Sequence, residues 1–492
     1  MMENLPLGWT EVSLADVAVW GSGGTPNRSR SEYYGGDIPW IKTGDLNDSV
    51  INESSEFITL EGLKNSSAKL FPKGCVVIAM YGATIGKTAI LGIDATTNQA
   101  CAVAMPTEAT TNDFLHYYLK QQRQNFIDKG KGGAQPNISQ TIIKGHPINL
   151  PPLAEQQRIV AKLDALFGHL EALRTRLDRI PQLLKNFRQQ VLTQAVTGKL
   201  TEEWRKEIVL DLGFIETINL KHYQKLKPVQ ARGQKGFDEN SVLYTLPESW
   251  HWVPQLKLTK DGSNSISAGP FGTIFKAKDF RSDGVPIIFL RHVKPEGFNQ
   301  AKPTFMDENV WKKYHQEYSV TGGELLVTKL GDPPGDATIY PRNLGTAMVT
   351  PDVMKSDLDD SLIVVDYVKY FFNSNICKDL IAKISFGMTR LRIDLTMFKS
   401  FPIPVPTLDE QREIVSRVES LFSIADKIEA QYQSLKAKID ALPQAILAKA
   451  FKGELVPQDP NDEPASVLLE RIKGEKTGAI KKGRKVVEVD TG

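Results

Sequence analysis

The sequence has few cysteines. Among its 492 residues only three are cysteine, and they are widely spaced at Cys75, Cys101 and Cys377. An odd number of thiols without a Cys-x-x-Cys pair argues against a disulfide framework and against a structural zinc site of the usual spacing. We therefore expect a protein of a reducing compartment, the cytoplasm.

Long apolar runs are also absent from the sequence. No stretch of about 18 consecutive apolar residues is present, so we expect no membrane-spanning helix and no membrane partner. The opening MMENLPLGWTEV lacks the basic and then apolar order of a secretory signal. Both absences agree with a cytoplasmic protein.

The chain has little net charge. Its 60 Lys and Arg residues nearly balance 58 Asp and Glu residues, which leaves a formal charge of +2. The overall charge therefore does not indicate a nucleic-acid partner. Any contact with DNA would depend on local basic patches.

No catalytic or cofactor motif is complete. YGATIGKT (81–88) resembles a phosphate-binding loop, but three residues separate Gly82 from Gly86 where that loop needs four. DPPGD (332–336) has a glycine where a base-modifying methyltransferase loop carries a stacking aromatic residue, so a tight turn is favoured there. The seven histidines are scattered without metal-ligand spacing. We expect no catalytic residue, metal or cofactor in this chain, and we expect Lys87 to meet DNA phosphate or solvent.

The chain does contain a long internal repeat. PPLAEQQRIVAKLDALF begins at Pro151, and PTLDEQREIVSRVESLF begins at Pro406, 255 residues later. At this offset the match continues without a gap from about Gly132 and Gly387 to Leu200 and Leu455. The repeat predicts a tandem duplication with two equivalent helices.

Both repeated helices carry a heptad pattern. Apolar residues alternate in steps of four and three from Ile159 to Val191, and again from Ile414 to Ile446. This spacing predicts a coiled coil, which the two helices would form with each other in antiparallel orientation. The alternative is that each helix packs only on its neighbouring globular domain. Pro181 and Pro443 lie within the patterns and should bend the helices.

Changes in residue pattern along the chain mark the domain limits. Short β-rich runs, glycine and proline turns and one or two helices before each long helix predict mixed α/β domains at 1–150 and 246–406. The long helices occupy 151–205 and 407–455, each ending at a glycine. We expect a solvated linker at 206–245 and a flexible basic tail at 456–492.

These residues resemble the specificity subunit of a Type I restriction–modification enzyme. The resemblance is carried by GSGGTPNRSRSEYYGGDIPWIKTGDL (21–46), YGATIGK (81–87), GGAQPNISQTIIKGHPINLPPLAEQQRIV (132–160) and the second copy ending IPVPTLDEQREIV. It covers nearly the whole chain. The second domain matches loosely, because FGMTRLRID (386–394) stands where the first copy has GGAQPNIS.

The resemblance implies a non-catalytic DNA-binding subunit with two target recognition domains. Each domain would read one half of a split, asymmetric site in double-stranded DNA, and the paired helices would act as a ruler for the spacer. The helices would also dock two methyltransferase subunits, which modify adenine N6 and carry S-adenosylmethionine. Two restriction subunits that use ATP and Mg²⁺ would complete the complex. The cofactors would therefore be bound by partner subunits and not by this chain.

Candidate DNA contacts follow from the side chains that read bases and phosphates. Arg and Lys pair with guanine, Asn and Gln pair with adenine, and other basic groups hold phosphate. In the first domain the candidates are Arg28, Arg30, Tyr33, Tyr34, Lys42, Thr43, Lys87, Lys129, Lys131, Gln135 and Asn137. In the second domain they are Lys276, Lys278, Arg281, Arg291, His292, Lys294, Arg390 and Arg392. For any one of them a solvated surface charge is the alternative, and Tyr33 and Tyr34 could instead pack in the core.

Two other functions remain open from sequence. The chain could be a self-contained DNA-modifying enzyme, which the missing cofactor motifs disfavour. It could also be a coiled-coil adaptor that binds proteins only. The divergence of the two domains beside well-matched helices argues against the adaptor.

Overall fold

The computed structural model describes residues 5–130, 137–208, 213, 214, 216, 218, 244–260, 264–270, 274–387 and 390–475. The chain divides into two compact units. Unit 1 combines Met1–Asp178 with Gln433–Gly492, and unit 2 is Arg179–Tyr432. Each unit therefore contains one globular part and one half of the long helical segments. The domain limits expected from sequence remain predictions.

Unit 1 contains short strands and helices before its long helix. Its strands are β1 (Thr10–Ser13), β2 (Ala18–Ser22), β3 (Tyr34–Ile41), β4 (Val50–Ile51), β5 (Phe57–Ile58), β6 (Leu70–Phe71), β7 (Val76–Ala79), β8 (Thr88–Leu91), β9 (Ala95–Thr97), β10 (Cys101–Pro106) and β11 (Pro147–Leu150). Its helices up to the unit boundary are α1 (Leu14–Val17), α2 (Leu60–Lys64), α3 (Asn112–Gln121), α4 (Arg123–Asp128), α5 (Gln140–Lys144) and α6 (Leu153–Leu177).

Unit 2 also combines short strands and short helices with long helical segments. Its helices are α7 (Ile180–Val196), α8 (Glu202–Glu207), α9 (Glu308–Tyr314), α10 (Val365–Asn373), α11 (Asn375–Ile384), α12 (Leu395–Ser400) and the first part of α13 (Leu408–Phe451), whose remainder lies in unit 1. Its strands are β12 (His251–Pro254), β13 (Ile266–Ala268), β14 (Phe280–Arg281), β15 (Val285–Ile288), β16 (Val293–Lys294), β17 (Gly297–Phe298), β18 (Phe305–Met306), β19 (Ser319–Val320), β20 (Leu325–Thr328), β21 (Leu330–Gly331), β22 (Ala337–Ile339), β23 (Ala347–Val349), β24 (Val353–Ser356), β25 (Leu391–Arg392) and β26 (Pro402–Val405).

The two units share a strand order. In unit 1 one sheet has the order β2-β10-β7-β8-β4, and in unit 2 the corresponding sheet has the order β13-β24-β20-β22. A second sheet in each unit contains one parallel pair, β3 with β9 and β15 with β23. The strand before each long helix pairs with the first strand of its unit, as β1·β11 and β12·β26. The duplication therefore extends into globular parts whose sequences have diverged.

The helix start that is repeated in the sequence is a buried polar framework. Glu155 and Gln156 are fully buried, as are Glu410 and Gln411 in the second copy. The indole N–H of Trp9 donates to Glu155 Oε2 at 3.0 Å, and the indole of Trp250 in unit 2 donates to the second glutamate at the same distance. Buried carboxylates and amides are stable only with such partners. This requirement explains why the Trp and Glu-Gln positions recur in both copies.

The long helices pair in antiparallel fashion within each unit. In unit 1, Arg174 contacts Asp440 at 3.5 Å and Asp178 contacts Lys436 at 3.4 Å. Residue numbers therefore rise along one helix where they fall along the other, which is the antiparallel arrangement. In unit 2, Arg188 contacts Asp426 at 2.6 Å. The predicted coiled-coil helix pair is thus present. The N-terminal parts of α6 and α13 also pack on the neighbouring globular domains, as the alternative interpretation predicts. They bury Ile159 and Leu163 in the core of unit 1, and Ile414 and Val418 in the core of unit 2.

The predicted seam is only half buried. Every seventh position is buried: Leu163, Leu170, Leu177, Leu184 and Val191 in the first copy, and Val418, Ala425, Tyr432 and Ile439 in the second. The intervening seam positions are partly or largely exposed, among them Leu173 at 45% and Leu435 at 46%. A pair of helices covers a narrow strip, so the second row of apolar side chains stays partly exposed to solvent.

The two prolines have different effects. At Pro181 the predicted continuous helix is interrupted, because α6 ends at Leu177 and α7 begins at Ile180. Proline in a first turn is well tolerated since its missing N–H would have no helical partner. Pro443 instead lies inside α13, which continues to Phe451.

Each long helical segment ends at a left-handed glycine, as its sequence predicts. Gly198 has φ +75° and Gly453 has φ +77°. A side chain binds each glycine carbonyl, Arg205 Nη2 at 2.6 Å in unit 2 and Gln458 Nε2 at 2.7 Å in unit 1. The same two side chains reach the buried glutamate at the start of the other helix, Glu410 and Glu155 respectively. The end of one copy is therefore bound to the beginning of the other.

The predicted flexible tail needs a correction. Residues 465–475 are helical, and Ala465, Leu468, Leu469 and Ile472 are buried in the core of unit 1. This segment has the apolar spacing of a packed helix, but the lysines that follow it led to the prediction of a flexible tail. Residues 476–492, and most of the expected linker 206–245, lie outside the described residues. Among the described residues, none of the helices combines the length and the apolar character that a membrane span requires.

Candidate nucleic-acid interface

The first candidate group in unit 1 is an ordered cluster. Arg28 and Lys42 both contact the carboxylate of Glu56, with 3.1 Å from Arg28 Nη2 to Oε2 and 3.0 Å from Lys42 Nζ to Oε2. The Arg28 guanidinium also lies 4.5 Å from the ring centre of Tyr34 and 4.9 Å from that of Trp40. The hydrogen bond from Arg28, and then that from Lys42, holds the pKa of Glu56 below its usual range against the opposing effect of burial. The structure thus brings three of the predicted residues together.

The aromatic residues of this cluster belong to the domain framework. Tyr34 donates its hydroxyl to Pro26 O at 2.6 Å, and its ring packs edge-on against Trp40. Tyr33 is partly buried, as is Thr43 in the turn after β3. Packing against the core is therefore the better account of Tyr34, which lies against Trp40 and Ile58, and the role of Tyr33 stays a prediction. Arg30 stays on the surface beside Glu32 at 3.2 Å.

The YGATIGK segment forms a clamped turn. Gly82–Thr84 is a single 3-10 turn, and Gly86 has φ +74°. Arg123 donates from Nε to Gly86 O at 3.0 Å and forms an ion pair with Asp48. Lys87 is partly buried beside this turn. The segment is shaped by a salt bridge that the sequence analysis did not identify.

The segment before α5 returns to the same turn. Asn137 forms an isolated bridge with Tyr81, and its side chain is exposed. Lys129 Nζ lies 2.9 Å from His146 Nδ1. Lys131 and Gln135 lie outside the described residues.

In unit 2, Lys276 and Lys278 are exposed around a 3-10 turn. Arg281 is less free, because it lies 3.2 Å from Asp307 and donates to two backbone carbonyls, those of Lys278 and Phe280. The two lysines are therefore the more available cations of this loop.

His292 needs a correction as a candidate DNA contact. Its side chain is buried, and its Nδ1 accepts the backbone N–H of Phe289 at 3.2 Å. Burial, assisted by the neighbouring Arg291, lowers the pKa of His292. The apolar run that precedes His292 continues its packing inward, so the imidazole does not reach the surface. Lys294 is exposed, whereas Arg291 is partly buried and bonds to Lys302 O and Thr304 Oγ1, each at 3.0 Å.

The repeat places Asn137 and Arg392 at equivalent positions. The backbone N–H of Ile138 donates to Met80 O at 2.9 Å, and that of Ile393 donates to Lys329 O at 3.1 Å. Each acceptor follows the central strand of its unit, β7 or β20. Asn137 and Arg392 directly precede the buried isoleucines and are exposed.

One of the two second-copy arginines, Arg392, lies close to Phe386. The Arg392 guanidinium lies 4.9 Å from the ring centre of Phe386, and Arg390 is exposed nearby in sequence. An amide, the type of group that pairs with adenine, and a guanidinium, the type that pairs with guanine, therefore occupy corresponding exposed positions. The DPPGD segment between β21 and β22 is a tight turn, as expected, with Thr328 Oγ1 accepting the N–H groups of Gly335 and Asp336.

Glu56 was missed by the sequence analysis. It lies in the unremarkable segment SEFI, and no motif distinguishes it from other surface carboxylates. The available signal was its position just before a short β-run, in a domain that also contains the basic loops of Arg28 and Lys42. Within the described ranges, no group of three His, Cys, Asp or Glu residues could hold a metal ion.

Comparison with known proteins gives a consistent result. A family model described as the Type I restriction modification DNA specificity domain matches residues 6–182 and 349–437, together more than half of the chain. The chain is 27% identical to the Type I restriction enzyme EcoDI specificity subunit of Escherichia coli, over 92% of this chain and 96% of the relative. It is 28% identical to the EcoKI specificity subunit of E. coli strain K12, over 98% and 99% of the two chains.

Solved structures share the fold. A chain from a study of complex assembly and conformational transition of the type I R-M system superposes with a TM-score of 0.61 at 18% identity, covering 92% of this chain and all of that one. The HsdS subunit from Thermoanaerobacter tengcongensis gives a TM-score of 0.57 at 18% identity, over 92% and 99% of the two chains. At this identity the likeness supports the fold alone, and it agrees with the mixed α/β prediction with a long helix pair.

Proposed function

We propose, from the premise that this chain belongs to the Type I restriction modification DNA specificity family, that its two units read the two halves of a split, asymmetric DNA sequence. A member of this family is the DNA-recognition subunit and is non-catalytic, as the resemblance implied. The proposal adds which parts of this chain contact DNA and partners.

One observation carries the proposal. Four strands of the first sheet follow the same order in the two units, and both units have the buried Trp–Glu contact, but their exposed loops carry different side chains. A duplicated framework with divergent polar loops is suited to reading two different sequences with one docking geometry, since base edges are read by side chains and not by the fold.

In unit 1 we propose that the DNA-facing residues are Arg28, Lys42, Lys87 and Asn137. In unit 2 we propose Lys276, Lys278, Lys294, Arg390 and Arg392. Asn137 and Arg392 are the base readers that we favour, because they occupy equivalent exposed positions. Arg30, Thr43, Lys129, Arg281 and Arg291 would contribute phosphate contacts at most, and Lys131 and Gln135 stay predictions from sequence.

We further propose that the exposed half of the helix seam docks methyltransferase subunits. In unit 1 the seam residues Leu173, Leu435 and Leu442 are 39–46% exposed. In unit 2 the seam residue Ile428, together with Leu183 and Ile424 just beside the seam, is 42–62% exposed. Apolar rows of this kind on a soluble protein mark interaction sites. One methyltransferase per unit would give two, which bring S-adenosylmethionine, and two restriction subunits would bring ATP and Mg²⁺. The cytoplasm is the proposed location.

The helices would also fix the spacer between the half-sites. Inserting one heptad into α13 and one into the helix paired with it keeps the seam in register and should lengthen the spacer. A spacer unchanged by this double insertion would contradict the ruler.

The proposal is tested by selecting duplexes from a random library with the chain bound to its methyltransferase partner. The expected result is enrichment of one split motif with two unrelated halves. The chain without partners should show no turnover of S-adenosylmethionine or ATP. Turnover by the chain alone would instead favour the self-contained enzyme, and no enrichment would favour the adaptor.

A further inference from the structure

The Glu56 carboxylate in unit 1 binds two cationic side chains at once, which is unusual for a group near the surface. It binds two cations, Arg28 through both carboxylate oxygens and Lys42 through Oε2 at 3.0 Å. Its side chain is 23% exposed, and its backbone carbonyl accepts the N–H of Trp40 at 2.9 Å. Both the backbone and the side chain of Glu56 are therefore held in place.

The Arg28 side chain is correspondingly fixed. Its guanidinium lies over Tyr34 and Trp40, while Tyr34 is anchored to Pro26 and Trp40 donates its indole N–H to Gly24 O at 2.9 Å. Despite these contacts, 55% of the Arg28 side chain is exposed. A guanidinium has five N–H donors, and the carboxylate uses two of them, so donors remain for a ligand.

We propose that Glu56 is a positioning residue for DNA recognition, which holds Arg28 so that its free edge meets a guanine in the first half-site. The inference rests on the proposed function. Arg is the side chain that most often pairs with guanine O6 and N7, and such pairing needs a fixed orientation. Glu56 itself carries negative charge and gains nothing from nearby phosphate.

This arrangement has two opposing effects on binding. The carboxylate cancels one of the two positive charges and so weakens binding to DNA of any sequence. The same carboxylate orients Arg28 and so strengthens discrimination of the correct sequence. A residue that served only the fold would not separate these two quantities.

The test uses Glu56→Gln in the full chain, in complex with its methyltransferase partner. Affinity is measured by fluorescence anisotropy over a salt series for three duplexes: the selected site, the site with its first half scrambled, and the site with its second half scrambled. For E56Q we expect discrimination at the first half to fall by about tenfold, within the range for a lost bidentate base contact. The slope of log affinity against log salt should steepen by up to about 0.9, since one more cation is free for phosphate. Discrimination at the second half should not change.

Two variants separate charge from orientation. Glu56→Asp keeps the charge on a shorter side chain, so we expect the wild-type salt slope with reduced discrimination. Arg28→Lys keeps the cation but lacks the planar fork, so it should lose the same discrimination as E56Q. Glu32→Gln is the matched control, because Glu32 pairs with the exposed Arg30 at 3.2 Å outside the stacked cluster. It should steepen the salt slope and leave discrimination intact.

The outcomes are distinguishable. Wild-type discrimination in E56Q and R28K would overturn this inference, while selective binding by the wild-type complex would leave the proposed function intact. Equal loss at both half-sites would show a general folding defect and would also overturn it. A wild-type complex that binds all three duplexes equally would contradict the proposed function itself.

Discussion

The duplication allows one substitution to be made at two equivalent positions with different expected results. Glu155 and Glu410 begin the two long helices, and both are fully buried under a tryptophan. Their second partners differ. Glu410 forms an ion pair with Arg205 and also accepts the hydroxyl of Thr201 at 2.7 Å, while Glu155 accepts a neutral amide N–H from Gln458 at 3.2 Å. Glutamine has nearly the same shape as glutamate but no charge, so Glu410→Gln and Glu155→Gln isolate this difference.

The magnitudes follow from the partners. The Arg205 side chain is 12% exposed and the Glu410 side chain is not exposed. Removing one member of a buried ion pair costs roughly 3–5 kcal/mol, and Arg205 keeps its bond to Gly198 O, so we expect a loss of about 3 kcal/mol for E410Q. Burial raises the pKa of Glu155, which means that its charged form is disfavoured in the fold. Neutral glutamine relieves this penalty and disturbs one hydrogen bond, so E155Q should lie within about 1 kcal/mol of wild type.

The assay is urea denaturation at pH 7, with hydrogen exchange measured by mass spectrometry to assign each loss to unit 1 or unit 2. E410Q should weaken protection in α7 and the first part of α13. The pH dependence gives an independent check for Glu155. Because its folded pKa is raised, its contribution is favourable at low pH and is lost as pH rises through the folded pKa, a dependence that E155Q should remove. Equal losses from the two substitutions would refute the reasoning.

Three further results are expected. Burial, and then the adjacent Lys120, lowers the pKa of His116 to about 4; unit 1 should therefore lose up to about 3 kcal/mol of stability as pH falls from 6.5 to 4, and a pH series on His116→Gln should show a flatter profile. Arg392→Ala should weaken discrimination of one half-site by about 1–3 kcal/mol and Asn137→Ala that of the other, whereas equal weakening for all duplexes would assign them to phosphate. Leu435→Asp should abolish co-purification of the methyltransferase partner, and Ser434→Asp on the same helix should not.

Much of the architecture was predictable because the duplication is evident from the matching sequences of the long helices. Heptad spacing and terminal glycines are local signals, and the helix pair and the left-handed Gly198 and Gly453 follow them. The interruption before Pro181 was only partly predictable, since proline fits a bend and a first helical turn equally well.

The candidate site was predictable only as loops. Loop chemistry indicated Arg28 and Lys42, but their shared partner Glu56 is 14 residues or more away in sequence and is brought to them by strand pairing. The prediction that His292 contacts DNA was wrong because the side chain of a histidine after an apolar strand can point into the core. Side-chain direction at strand ends depends on register, which one sequence does not specify.

We propose that this chain gives sequence specificity to adenine methylation through two different half-sites. Modified-base sequencing of DNA from cells that express the chain with its methyltransferase partner, against cells that lack only this chain, tests it directly. The account predicts a new split motif, methylated in both halves and present only with the chain, and its second half alone should be relaxed by Arg392→Ala. A confirmed complex that produces no new motif would contradict the account.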